Sequence, residues 1–197
     1  LPARTDAVVT GSMLFRNGRG NPELEEALNR GVPVWNSTAF LEQYFLRCSE
    51  NFVVAGTKGK TTTTAMLAWI LESAGRSPDY MIGGQIRADF RRVRLRGAPL
   101  MVLEGDEYRC GLGDPMPKFL RYHPAHLVVT NVGHDHLEMF ATPGQYRDAF
   151  TNLVDQMPGG GSLTLNADDP GAMSLAGRTP TPVCSVGFSR KADCRIT

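Results

Sequence analysis

Residues 51–64 read NFVVAGTKGKTTTT, and this stretch decides the fold. Its first five residues predict a buried strand, and a helix is predicted from Thr61 to about Ala74, closed by Gly75. A strand, a short glycine-containing loop and a helix that begins with Lys-Thr together bind polyphosphate well, because backbone N–H groups and the helix dipole attract anions. The stretch therefore predicts a nucleotide-binding loop, for ATP with Mg²⁺.

The loop itself supplies the candidate ligands. Lys60 can reach the β- and γ-phosphates, and the hydroxyl of Thr61 can ligate Mg²⁺. The pattern GxxxxGK[ST] would need glycine at Val54, so this loop is a shorter variant. The alternative is a glycine-rich turn that caps an ordinary helix, but four consecutive threonines, which are poor helix formers, argue for ligand-binding hydroxyls. The predicted loop ligands are Gly56, Thr57, Lys58, Gly59, Lys60, Thr61 and Thr62.

Polar side chains follow two later predicted strands. Residues 100–103 end in Glu104-Gly105-Asp106-Glu107, and residues 126–130 end in the run 131–136, NVGHDH. Open α/β sheets place their ligands at the carboxyl ends of parallel strands, although an acidic turn there is more often merely solvated. The histidines of the second run could chelate zinc, but no third ligand lies nearby in sequence, and Mg²⁺ prefers oxygen. These residues alone therefore leave the role of His136 open.

The remaining sequence predicts alternating strands and helices, which is typical of an α/β fold with a mostly parallel sheet flanked by helices. Predicted strands occupy 7–13, 32–35, 51–55, 100–103, 126–130 and 162–165, with short strands in the tail, and predicted helices occupy 21–30, 37–47, 61–74 and 143–157. We assign residues 1–48 to the end of one domain and residues 49–197 to a nucleotide-binding domain.

The composition limits the classes of function. The chain has 197 residues and a net charge of +1, which does not suggest a nucleic-acid binder or a membrane-surface protein. The arginines from Arg87 to Arg96 are interpreted as the solvated edge of a strand or hairpin, with an anion site as the alternative. Four cysteines without a CxxC pair argue against a disulfide framework and fit a cytoplasmic protein. The chain begins Leu-Pro-Ala-Arg, so we expect a fragment.

Four motifs in order resemble the Mur ligase family. They are GTKGKTTTT (56–64), EGDE (104–107), TNVGHDH (130–136) and NADDP (166–170). The family comprises ATP-dependent amide-forming ligases of bacterial peptidoglycan synthesis and recycling. Its members have a UDP-sugar-binding first domain, an ATP-binding central domain with a P-loop and a C-terminal domain. The resemblance implies that residues 1–48 end the first, Rossmann-like domain, that residues 49–197 form the central one, and that the C-terminal domain needed for activity is absent.

The same resemblance implies ligands and roles. The cofactors would be ATP and Mg²⁺, and the substrates a UDP-N-acetylmuramate-type sugar nucleotide and an amine-bearing amino acid or peptide, without nucleic acid or membrane. Lys60 would contact the ATP phosphates, and Thr61 and Glu104 would hold a first Mg²⁺. His136 would hold a second Mg²⁺, with Asn131 beside it. Lys60, Glu104 and His136 are thus the implied catalytic set.

Phe150 bears on the branch of the family. Several branches carry a carbamylated lysine in a Tyr-x-x-Ala-Lys context, where this chain has YRDAF (146–150). Its absence resembles the branches that add L-alanine or a murein tripeptide to UDP-N-acetylmuramate. The segments 19–33, 107–108 and 118–124 favour the tripeptide branch. Its usual pattern differs at four positions, Lys58, Arg109, Gly133 and His134. Three alternatives therefore stay open: a ligase that adds L-alanine, a ligase with another acceptor, and a P-loop ATPase or nucleotide-binding module.

Overall fold

Strands and helices alternate along the chain and build one large sheet. The computed structural model describes residues 1–11, 20–86, 90–111, 113–133 and 139–197. The strands are β1 (Val8–Thr10), β2 (Val34–Asn36), β3 (Glu50–Ala55), β4 (Asp79–Met81), β5 (Val93–Arg94), β6 (Leu100–Glu104), β7 (Arg109–Gly111), β8 (Asp114–Pro117), β9 (His126–Val129), β10 (Ser162–Asn166), β11 (Val183–Gly187) and β12 (Cys194–Arg195). The α-helices are α1 (Pro22–Asn29), α2 (Ser37–Tyr44), α3 (Lys60–Ser73), α4 (Pro143–Asp155) and α5 (Pro170–Met173), and 3-10 turns occupy Leu46–Cys48 and Lys118–Arg121.

The order of the strands places the loop after β3 at a ligand-binding position. Within the described residues the main sheet has the order β12-β11-β10-β9-β3-β6-β4-β5, and only β5 runs antiparallel to its neighbour. From β3 the chain moves to β4 and β6 on one side and then crosses to β9 and β10 on the other. The carboxyl end of β3 therefore lies where the strand order reverses, which is where open α/β sheets bind ligands.

Helices cover both faces of β3. Val53 and Ala55 face a core that includes Phe150 and Leu153 of α4, and Phe52 packs on the opposite face in a cluster with Ala68 of α3. A strand that is buried on both faces needs apolar residues at nearly every position. This explains why residues 52–55 form a continuous apolar run instead of an alternating one.

The predicted α/β class and the elements around the loop are confirmed. Helix α3 begins one residue earlier than predicted. Helix α1 begins at Pro22, and Asn21 caps it as expected, its side chain accepting hydrogen bonds from the N–H groups of Glu23 and Leu24. The helix predicted at 37–47 ends at Tyr44 and continues as a 3-10 turn. Strand β4 and the hairpin formed by β7 and β8 are absent from the elements predicted from the sequence. Strand β4 has three residues, and β8 contains two prolines, so neither carries a strong strand pattern.

Residues 1–48 contribute to more than one part of the structure. Strands β1 and β2 pair in parallel as a separate two-stranded sheet. In contrast, Leu41 of α2 and Leu46 of the following turn lie in the main core with residues of β3 and α4. Glu42 of α2 also accepts a hydrogen bond from Arg121 at 3.0 Å. The domain boundary at residues 48 and 49 remains a prediction.

The described part of the basic cluster lies at the edge of the sheet, as predicted. Arg91, Arg92 and Arg96 are exposed, whereas the Arg94 side chain is only 12% exposed and is not solvated as expected. Arg94 belongs to β5, and its guanidinium contacts the carboxylate of Glu72, the carbonyl of Pro78 and the ring of Tyr80. Arg87 lies outside the described residues. The four cysteines all lie in described segments and are free thiols. No helix in those segments is long and apolar enough to cross a bilayer.

Candidate nucleotide-binding site

Two glycines shape the loop between β3 and α3. Gly56 has φ +137° and Gly59 has φ +85°, values that residues with a Cβ rarely adopt. A Cβ on Gly56 would also lie 2.1 Å from Oγ1 of Thr130. The loop can therefore pack closely against the end of β9 only because residue 56 is glycine.

The end of β9 holds the loop through a set of short hydrogen bonds. Asn131 accepts from the N–H of Lys58 and donates to its carbonyl, both at 2.9 Å. Thr130 donates to the same carbonyl at 2.6 Å. The hydroxyl of Thr57 donates to the carbonyl of Gly133 and accepts from its N–H. These bonds fix the backbone of the loop against the end of β9.

The N-terminus of α3 has no side-chain cap. By contrast, a side chain accepts hydrogen bonds from first-turn N–H groups in each of the other four α-helices of the described residues, the capping residues being Asn21, Asn36, Thr142 and Asp169. The first N–H groups of an uncapped helix need other acceptors, and the dipole favours an anion there. The first N–H groups of α3 and the positive end of its dipole are therefore left for an acceptor other than a capping side chain.

Lys60 lies at the first position of α3 and points back over the loop. Its ammonium nitrogen donates to the carbonyl of Gly56 at 2.6 Å and to Oε1 of Glu107 at 3.0 Å. Glu107 also accepts from the hydroxyl of Tyr146 at 3.1 Å. Burial raises the pKa of the Glu107 carboxyl, whereas the adjacent Lys60 opposes that rise.

Thr61 and Glu104 meet on the other side of the helix start. The Thr61 hydroxyl donates to Oε1 of Glu104 at 2.8 Å, and Oε2 of Glu104 accepts from the N–H of Gly83 at 2.7 Å. A Cβ on Gly84 would lie 2.6 Å from the Thr61 side chain, so glycine is needed for this approach. A hydroxyl and a carboxylate in contact are the oxygen ligands that Mg²⁺ prefers when phosphates supply the rest.

A cavity of about 400 Å³ opens beside Lys60 and Glu104. One wall is the start of α2, so the segment before residue 49 borders the same space as the loop. Asp106 lies in this wall as well and pairs with Lys118 at 2.7 Å. The lining residues are Ser37, Thr38, Leu41, Lys60, Met81, Ile82, Gly83, Glu104, Asp106, Glu107, Tyr108, Lys118 and Tyr122.

The NADDP motif joins the strand ends that surround the site. Asn166 donates to the carbonyl of Thr130 at 2.9 Å. Asp169 accepts from the N–H of Val132 and caps α5, and Asp168 accepts from the N–H groups of Phe188 and Ser189. The motif therefore fixes the positions of β9, β10 and β11 relative to one another.

The structure brings together most of the site residues predicted from the sequence. Residues 56–62, Glu104 and Asn131 lie around the start of α3. His134, Asp135 and His136 lie outside the described residues, so the assignments of His136 as a metal ligand and catalytic residue stay predictions. Within the described residues, no cluster of three or more His, Cys, Asp or Glu side chains could hold a metal ion.

Sequence reasoning missed three contributions to the site. Gly83 and Gly84 approach Glu104 and Thr61, and a Gly-Gly pair was the signal that could have marked them. The contact between Glu107 and Lys60 spans 47 positions. Tyr146 belongs to the motif YRDAF that the family resemblance marks, but no local sequence pattern predicts that its hydroxyl contacts Glu107.

Comparison with known proteins decides the family. Residues 54–197 match the model of the Mur ligase middle domain. The chain belongs to the Mur ligase family. A curated relative, UDP-N-acetylmuramate–L-alanine ligase of Xanthomonas campestris, is 37% identical over 192 residues, which cover 97% of this chain and 38% of the relative. The chain thus spans well under half the length of that relative.

Solved structures of two Mur ligase branches resemble the chain. One is the UDP-N-acetylmuramate:L-alanyl-γ-D-glutamyl-meso-diaminopimelate ligase of Neisseria meningitidis, with a TM-score of 0.79, 31% identity and coverage of 95% of this chain and 60% of that one. The other is the UDP-N-acetylmuramate–alanine ligase of Thermotoga maritima, with a TM-score of 0.72, 28% identity and coverage of 95% and 39%. These are the two branches that the sequence analysis singled out.

The branch-specific position is buried. Phe150 stands where the family resemblance implies lysine in other branches; it is fully buried and packs edge-on against Phe119 at 5.3 Å between ring centroids. A lysine ammonium at this buried position would lose its hydration, which is costly for a charged group. The packing therefore accounts for an apolar residue at this position of the family fold.

Proposed function

We propose that the chain is the ATP-binding part of a ligase that joins an amino acid or peptide to UDP-N-acetylmuramate. The observation that carries this proposal is the uncapped start of α3 with Lys60, Thr61 and Glu104 around it, in a chain that belongs to the Mur ligase family. The relatives' names supply the substrate class, since both branches act on UDP-N-acetylmuramate. Because the proposed reaction uses ATP, and four cysteines without a CxxC pair fit a reducing compartment, we propose that the protein acts in the cytoplasm.

The residues around Thr61 fit a magnesium ion. Thr61 and Glu104 would hold it through oxygen atoms, with nucleotide phosphates completing the set, and His136 would hold a second ion. The ion would withdraw negative charge from the phosphoryl oxygens. The backbone N–H groups at the start of α3 and the ammonium of Lys60 stabilise the same charge from the side of the protein.

The proposed reaction has two steps. A carboxylate oxygen of the sugar nucleotide attacks the γ-phosphorus of ATP, so that an acyl phosphate forms and ADP leaves. The amine of the amino acid or peptide then attacks the acyl carbon, phosphate leaves, and the amine loses a proton. In this proposal the γ-phosphate binds beside Lys60, next to the cavity that the start of α2 borders. Holding the reactants in place supplies much of the rate, so we propose that turnover needs the C-terminal domain of a full-length ligase.

A phosphate-release assay on the full-length protein tests this function. We expect release only when ATP, UDP-N-acetylmuramate and an amine are all present, and a Lys60→Ala variant should lose at least about a hundredfold of the rate. L-alanine and the tripeptide L-alanyl-γ-D-glutamyl-meso-diaminopimelate are compared as amines, because the relatives include both branches. Release that needs neither acceptor nor amine would instead identify an ATPase, and binding without release would identify a nucleotide-binding module.

A further inference from the structure

Glu107 is a buried carboxylate in direct contact with the lysine of the nucleotide loop. Glu107 is 1% exposed to solvent, and its Oε1 lies 3.0 Å from Nζ of Lys60. The hydroxyl of Tyr146, on α4, donates to the same oxygen. A buried carboxylate without hydrogen-bond partners would be costly, so the contacts with the lysine and the tyrosine, together with a backbone hydrogen bond, keep Glu107 in place.

The ammonium of Lys60 is fully engaged in this arrangement. It has three N–H donors, and protein oxygens lie at 2.6 Å (Gly56 carbonyl), 3.0 Å (Glu107 carboxylate) and 3.4 Å (Thr57 carbonyl). Its side chain is only 14% exposed. Lys60 can donate a hydrogen bond to a nucleotide phosphate only if its hydrogen bond to one of these three acceptors breaks. Of the three, only the Glu107 carboxylate can carry a negative charge.

We propose that Glu107 is a positioning residue that pairs with Lys60 and competes with the nucleotide phosphates for its charge. This inference rests on the proposed function, because it assumes that Lys60 binds a nucleoside polyphosphate. Phosphates that approach Lys60 also approach Glu107, and two like charges around one lysine repel each other. Glu107 therefore lowers the affinity for nucleotide and favours the release of ADP after phosphoryl transfer.

A Glu107→Gln substitution separates charge from shape. The amide oxygen of glutamine can still accept from Lys60 and Tyr146, while the negative charge is gone. In the full-length protein we expect the Kd for ADP with Mg²⁺ to fall about tenfold, the KM for ATP to fall, and kcat to fall because ADP leaves more slowly. A residue with a purely structural role would weaken binding or leave it unchanged.

Asp114→Asn is the matched control. Asp114 is a nearby carboxylate that also pairs with a basic side chain, Arg121 at 2.6 Å, but it does not line the cavity beside Lys60. This variant should change the Kd for ADP less than about twofold, which distinguishes the loss of a specific contact from a general change of charge. Thermal unfolding of both variants verifies that they are folded.

The outcomes separate this inference from the proposed function. If the wild-type protein binds ADP and Glu107→Gln binds it equally or more weakly, the inference is overturned while the proposed function stands. If the wild type itself binds neither ADP nor ATP, both fail. Should Glu107→Gln not fold, Glu107→Met, which is similar in volume and uncharged, enters the same titration with the same expected direction.

Discussion

At the scale of single residues, the hydroxyl of Thr61 has a role that can be isolated. It contacts Glu104, whereas Thr63, two positions later, is a chemically identical side chain for which the structure shows no such contact. Thr61→Val keeps the β-branched shape and removes only the hydroxyl. We expect the magnesium-dependent part of ADP affinity to fall by about ten- to a hundredfold, because Mg²⁺ loses one oxygen ligand.

Titration of ADP with Mg²⁺ and with EDTA measures this effect. The affinity in EDTA should be nearly the same in Thr61→Val and wild type, and Thr63→Val should match the wild type under both conditions. A Thr61→Val variant whose affinity still rises with Mg²⁺ as much as that of the wild type would show that Thr61 is not a ligand of the ion.

Local sequence pattern predicted some of the site residues and not others, for a physical reason. Lys60 and Thr61 follow from the order strand, glycine loop, helix, because hydrogen bonding and the helix dipole act over a few neighbouring residues. Glu107 and Tyr146 touch the loop only after β6 and α4 have packed beside β3 and α3. Their contacts depend on the tertiary fold, and the sequence could indicate Glu107 only as one of several carboxylates at a strand end.

At the scale of elements, Asp79 joins β4 to the turn that leads into β6. Its Oδ2 accepts from the N–H groups of Arg96, Gly97 and Ala98 at 2.7–3.0 Å, and the side chain is buried. Asp79→Ala would leave three N–H groups without this acceptor. We expect the free energy of unfolding to fall by about 3 kcal/mol.

Urea unfolding of the chain measures that loss, with Asp148→Ala as the control. Asp148 is exposed on α4, and its replacement should change the free energy of unfolding by no more than about 0.5 kcal/mol. Equal losses in the two variants would mean that the Asp79 contacts do not hold the turn.

The elements that could be predicted are those with a long, consistent pattern. Strand β3 is apolar at successive positions because it is covered on both faces, and α4 has a capping threonine and a buried face. Strand β4 has three residues and depends on pairing with β6 for its conformation. Such a strand forms because a neighbour is present, so its own sequence carries little information about it.

At the scale of the whole molecule, α2 behaves as part of the nucleotide-binding body, even though the sequence prediction assigns residues 1–48 to another domain. Leu41 and Leu46 are buried in the main core, and the start of α2 lines the cavity beside Lys60. A chain that begins at residue 49 would expose the core surface that these two leucines cover. Loss of a buried leucine side chain typically costs about 2–5 kcal/mol.

We therefore expect a chain of residues 37–197 to unfold cooperatively in urea, and a chain of residues 49–197 to have a much lower midpoint or no cooperative transition. Leu41→Ala in the chain 1–197 tests the same contact without truncation and should lower the free energy of unfolding by about 2–5 kcal/mol. Leu28→Ala is its control, because Leu28 lies on α1 and is 63% exposed. If 49–197 and 37–197 unfold at the same urea concentration, α2 is dispensable and the boundary predicted from the sequence is the correct one.

A large difference in the urea midpoint would move the start of the nucleotide-binding domain back to α2. The cavity wall that α2 forms would then belong to the same folding unit as the loop.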